Sequence, residues 1–113
     1  MSGFAIELNG DAAACVVAVS GDIDIEHADD LAAVGRLAME SLDNGRRLVI
    51  DLTDVQFMDS TGLGALIEIR NAAARQGQRV ELRAVHPRVR KVIAITGLLG
   101  EFDITPSDNE RIA

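Results

Sequence analysis

The chain has 113 residues, 48% of them hydrophobic and 26% charged, a length and balance suited to one globular domain with a single core. Eleven basic against eighteen acidic residues leave a net charge of −7. This excludes a broad nucleic-acid surface, which needs a basic patch, and suits a partner with basic features. Cys15 is the sole cysteine, so no intrachain disulfide forms, and its apolar setting predicts a buried, inert thiol. Met1 to Gly10 contains Glu7 and no basic n-region, and no apolar run approaches the roughly 18 residues that span a bilayer. A cytoplasmic protein without membrane insertion is expected.

In chain order, Phe4, Ile6 and Leu8 alternate with Ala5 and Glu7, as in a half-buried strand. Asn9-Gly10-Asp11 signals a turn, and Ala13 to Val19 reads as a second strand antiparallel to the first. After Gly21-Asp22-Ile23-Asp24, residues Glu26 to Asp43 carry Ala28, Leu31, Val34, Ala38 and Leu42 at helical spacing, stopped by Asn44-Gly45. Leu48-Val49-Ile50-Asp51-Leu52 is a nearly unbroken apolar run, expected for a central strand covered on both faces. A helix follows from Ser60 to Arg75, with Leu63, Leu66, Ile67, Ala73 and Ala74 on one side and Gly77 at its end. Val80, Leu82 and Ala84 alternate with Glu81 and Arg83, predicting a strand with one wetter face. Pro87 suits the first position of a third helix, with Val89, Val92, Ile93 and Thr96 as its buried stripe and Gly97 as its cap. Phe102 to Ile104 reads as a short last strand, and 107–113 as a loosely ordered tail.

Strands alternating with helices predict an α/β domain with a parallel or mixed sheet. Partners of such sheets meet the carboxyl ends of the strands. The Asp22–Asp24 segment, the Asp59–Ser60 loop and the His86-Pro87 corner should share that edge. Between the central strand and its helix lies Asp59-Ser60-Thr61-Gly62-Leu63-Gly64. Asp, Ser and Thr cap helix starts by accepting orphan backbone N–H groups. Two glycines in a first turn cost about 1 kcal/mol each relative to alanine, which suggests that something outside the domain approaches this backbone closely. Ser60 is thus a helix-cap residue and also a chemically plausible phosphoacceptor, because a helix N-terminus favours a phosphate. Thr61 is the rival acceptor.

Phe57 to Gly64 resembles the signature of STAS domains, specifically the bacterial anti-sigma-factor antagonists. Gly21-Asp22-Ile23-Asp24, Asp51-Leu52 and Thr96-Gly97-Leu98-Leu99 fit the same family in order, over roughly residues 4 to 106 of a single domain 1–113. The resemblance implies a small mixed sheet with helices packed mainly on one face. It implies that Ser60 is the phosphorylated residue and that Asp22, Asp24, Asp59, Ser60, Thr61, Gly62, Leu63 and Gly64 meet the partner. It further implies an anti-sigma-factor serine kinase of the histidine-kinase-like ATPase type as that partner, bound when Ser60 is unmodified and released on phosphorylation. A serine phosphatase would restore the hydroxyl, and sigma-factor-dependent transcription would be the regulated output. A STAS subunit of another assembly, such as a stressosome-like scaffold or a lipid-transport complex, is the alternative.

Enzymatic readings find less support. Asp22, Asp24, Asp51, Asp54 and Asp59 at strand ends suggest a Mg²⁺-dependent phosphoaspartate receiver, but that family needs a lysine after a late strand, and Lys91 falls inside the third helix. A small hydrolase would need Ser60 beside His27 or His86 and an oxyanion hole, and the loop is no Gly-x-Ser-x-Gly elbow. His27 is expected to lie exposed at a helix start. There is no zinc spacing and no phosphate loop for a nucleotide-binding protein. No catalytic residue, metal or cofactor is expected. Arg88, Arg90 and Lys91 crowd the start of the third helix against its dipole, as a solvated face or as a basic cluster near the switch edge.

Overall fold

The computed structural model describes residues 3–10, 13–42 and 46–106. Its elements are β1 (Ala5–Gly10), β2 (Ala14–Ser20), α1 (Ala28–Glu40), β3 (Arg47–Asp54), α2 (Ser60–Ala74), β4 (Val80–Arg83), α3 (Pro87–Ile95) and β5 (Asp103–Thr105), with one 3₁₀ turn at Leu99–Glu101. The strands lie in the order β1-β2-β3-β4-β5. β1 runs antiparallel to β2, whereas β2–β3, β3–β4 and β4–β5 are parallel. Each parallel step carries one helix and moves the same way across the sheet. Connections of one hand then place all three helices on one face. Leu31 of α1, Leu66 of α2 and Val89 of α3 accordingly join one core with Val17, Leu48, Ile50, Leu52 and Leu82. The chain is a single α/β domain, a five-stranded mixed sheet with three helices.

Central β3 is buried at Leu48, Val49, Ile50 and Leu52. Val49 stands opposite Val16 on one side and Glu81 on the other, so it is covered on the face without helices by its neighbours in the sheet. Helix α2 ends as its sequence directs. Gly77, at φ +71°, lets the chain turn back, and Gln78 N–H donates to the Ala73 carbonyl at 2.9 Å. α3 opens on Pro87 and is capped by His86, whose Nδ1 accepts the Arg88 N–H at 3.1 Å.

Several expectations need correcting. Glu81 was to face the wet side of β4; it is only 4% exposed. Its carboxylate meets Arg47 at 3.0 Å and Arg83 at 3.3 Å, and accepts the Thr105 hydroxyl at 2.8 Å. Two guanidinium groups and a hydroxyl offset the cost of burying that charge. β4 stops before Ala84, which adopts φ 59°. Leu8 is 59% exposed despite its alternating pattern, on an edge strand that has a neighbour on one side only. His27 is half-buried, its ring stacked on Phe4 at 4.1 Å. Thr96 is exposed and Cys15 only half-buried. The asparagine-glycine stop after α1, the Asp11 end of the first turn and the tail at 107–113 lie outside the described residues.

Candidate functional site

A bulge in the sheet begins the site. Between Ala18 and Ser20 the β2–β3 register slips, with Ala18 opposite Asp51 and Ser20 opposite Asp54. The strand ends nevertheless stay together: Gly21 N–H donates to the Asp54 carbonyl at 3.1 Å, and Ile23 N–H to the Phe57 carbonyl at 3.0 Å. Asp59 N–H then donates back to Ile23 at 3.2 Å, and Ile23 pairs with Met58 in an isolated parallel bridge. The segment 21–24 and the loop 55–59 are thus one extension of the sheet at its carboxyl edge. Ile23, Val55 and Met58 seal it from below.

Asp59 caps α2. One carboxylate oxygen accepts Thr61 N–H at 2.9 Å, Gly62 N–H at 3.1 Å and the Thr61 hydroxyl. The Thr61 hydroxyl above all, then the Gly62 and Thr61 backbone donors, hold this carboxyl below its ordinary value, against partial desolvation that pushes it up. Ser60 is therefore not the cap, as its residue type allowed, but the first residue of the helix. It is exposed, and its hydroxyl has no partner among the described residues. The two adjacent hydroxyls differ in kind: that of Thr61 is committed to Asp59, and that of Ser60 is open to solvent.

The remaining site residues divide into surface and support. Asp22 is exposed; Asp24 is half-buried and turns the chain into α1, accepting Glu26 N–H at 3.1 Å and lying 2.9 Å from His27 Nδ1. Both stand on the segment bridged to the Ser60 loop. Gly62 and Leu63, expected to meet a partner, are buried instead. A Cβ on Gly62 would come 2.5 Å from Met58 Cγ and 2.6 Å from the Ile23 carbonyl oxygen. Its glycine serves the seating of α2 on the 23–58 bridge. Gly64 differs, since a Cβ there would find nothing within 4 Å. The other carboxylates are dispersed: Asp51 accepts Thr53 N–H at 3.0 Å, Asp54 is exposed, and among the described residues no three His, Cys, Asp or Glu side chains gather as a metal site would require.

Two apolar side chains outside the expected site residues, Ile25 and Phe57, are 75% and 49% exposed on the two loops of this edge. The signal at Ile25 is an aliphatic residue between Asp24 and Glu26 that falls off the buried stripe of α1. Arg88, Arg90 and Lys91 are exposed on α3. Arg90 and His86 line an open cleft of about 470 Å³ that Thr53 links to the end of β3.

The STAS domain family model matches residues 5–111. A STAS-domain containing protein of Pseudomonas aeruginosa is 31% identical over 90 residues, covering 79% of this chain and 85% of the relative. The anti-sigma-B factor antagonist of Bacillus subtilis is 33% identical over 89 residues, 79% of each chain. Among solved structures, an anti-sigma factor antagonist from Mycobacterium paratuberculosis superposes with a TM-score of 0.81 at 26% identity, covering 97% of this chain and 92% of the other. These relatives are named for antagonism or for the domain, and none of the three for a catalysed reaction. The chain belongs to the STAS domain family, with anti-sigma factor antagonists among its relatives.

Proposed function

We propose that this domain is an anti-sigma-factor antagonist whose binding is switched by phosphorylation of Ser60. The observation that carries the reading is the free, exposed Ser60 hydroxyl at the first position of α2, beside a Thr61 hydroxyl already bonded to Asp59. In the unmodified state the edge formed by Asp22, Asp24, Ser60 and Gly64 binds a cytoplasmic serine kinase that doubles as anti-sigma factor, and the sigma factor is freed. In the transfer step the Ser60 oxygen bonds the γ-phosphorus of ATP and loses its proton, while the bond to ADP breaks. A phosphatase reverses the modification by hydrolysis.

The local bonding explains how a phosphate would act. Asp59 already holds the Thr61 and Gly62 N–H groups that a phosphate would otherwise seek. The added charge of about −1.5 to −2 therefore projects outward beside Asp22, Asp24 and Asp59 rather than refolding the loop. The fold stays as it is and the surface changes sign balance, so release follows from repulsion and desolvation against the partner.

The test is fragmentation mass spectrometry after incubation with ATP and each serine-kinase-type anti-sigma factor of the source genome. A single phosphate on Ser60, abolished in Ser60→Ala and retained in Thr61→Ala, is the expected outcome. Phosphate on Thr61, or none with any kinase, would overturn the reading; the latter, with the domain held in a larger complex, favours a STAS subunit of another assembly.

A further inference from the structure

Ile25 is held in water by a fixed turn. The Asp24 carbonyl accepts His27 N–H at 3.1 Å and Ala28 N–H at 2.9 Å, and the Asp24 side chain accepts Glu26 N–H. An aliphatic side chain three-quarters exposed on so pinned a segment forgoes the gain from burial for no reason internal to the fold. It forms one wall of a cleft of about 240 Å³ between α1 and α2, with Ala28 and Ala32 on one helix and Gly64 and Ala65 on the other. Thr61 closes the cleft at the end where Ser60 stands. Asp29 and Glu68 line it as well. Glu68 is paired with Arg36 at 2.7 Å, whereas Asp29 has no ion pair among the described residues. The segment 22–30 carries five carboxylates, Asp22, Asp24, Glu26, Asp29 and Asp30.

We infer that this cleft is the recognition groove for the kinase, receiving one aliphatic side chain of the partner between Ile25 and Gly64 while a partner Arg or Lys meets Asp29. The inference rests on the reading of Ser60 as the phosphoacceptor and adds to it what selects the partner. The acidic lining supplies the charge complementarity, and Thr61 joins the groove directly to the switch residue, so a side chain seated in it registers the kinase over Ser60. Recognition and phosphoacceptor chemistry are then separable. Groove substitutions act on binding and leave the transfer step intact.

The experiment measures steady-state phosphorylation of Ser60 by the kinase that modifies the wild-type domain, for Ile25→Asp, Asp29→Lys and, as a control near the far end of α1, Leu37→Asp. Ile25→Asp and Asp29→Lys should each raise KM at least about tenfold with kcat within about twofold of wild type, and Leu37→Asp should do neither. The Asp29→Lys effect should shrink at high salt. All three positions are exposed, so thermal melts should remain near wild type. Unchanged KM in Ile25→Asp and Asp29→Lys, with Ser60 still phosphorylated, overturns the groove and leaves the switch standing. Failure of every kinase to modify wild-type Ser60 removes the switch, and the groove with it.

Discussion

Asp59 is the residue on which the geometry of the proposed switch depends. By taking two backbone N–H groups and one hydroxyl, it fixes the start of α2 and removes Thr61 from competition. Asp59→Ala should therefore destabilise the domain by about 1 kcal/mol at neutral pH, the usual worth of an N-cap, as measured by urea unfolding. The dependence on pH follows from the lowered carboxyl pKa. A group held below its ordinary value of 3.8 contributes its full stability above that value. It loses that contribution as pH falls through the lower folded-state pKa. The gap between wild type and Asp59→Ala should be constant at mildly acidic pH and close below about pH 4. Both residue types cap helices, so residue type alone did not separate Ser60 from Thr61; the resemblance favoured Ser60. The bond from Thr61 to Asp59 adds a physical reason for that preference.

At the scale of elements, the two glycines of α2 part company. Gly62 lets the helix start rest on the bridged loops, and a methyl group would press on the backbone oxygen of Ile23. Gly62→Ala should cost about 1–3 kcal/mol in thermal or urea melts, since overpacking exceeds the gain in helix propensity. Gly64→Ala should leave stability unchanged or raise it by up to ~1 kcal/mol, yet weaken partner binding, because the methyl enters the α1–α2 cleft. Equal behaviour of the two variants would contradict this division. Their difference was hidden in the sequence: a glycine in a first turn announces a close approach but not from which side. Gly35 is a further case, missed as a packing position. A Cβ there would stand 2.3 Å from the Ile69 side chain, so it sets how near α1 comes to α2. By contrast, the helices themselves were legible, because their apolar spacing and glycine or proline boundaries act locally.

Across the whole molecule, alternating strands and helices made the mixed sheet readable in the sequence, together with the carboxyl edge on which the candidate loops lie. The pairing of the Ile23 and Met58 loops was not, since it depends on a register slip between strands whose partners shift from 33 to 34 residues apart in sequence. Nor was the burial of Glu81, which period-two alternation assigns to water. Arg47, Arg83 and Thr105 come to it from three different strands. Glu81→Ala should destabilise by about 2 kcal/mol, less than a fully buried pair because Arg47 is itself exposed. Kinase binding should be unaffected, for the network lies on the face away from the helices. Loss of binding in a folded Glu81→Ala domain would extend the partner surface to the open sheet.

The central claim is that phosphate on Ser60 ends a complex without altering the fold. The most direct measurement is calorimetric titration of the cognate kinase, loaded with ADP, with the unmodified domain and with the domain enzymatically phosphorylated at Ser60. The unmodified form should bind at least about tenfold more tightly, a difference of about 1.4 kcal/mol or more. Equal affinities for the two forms would contradict the account.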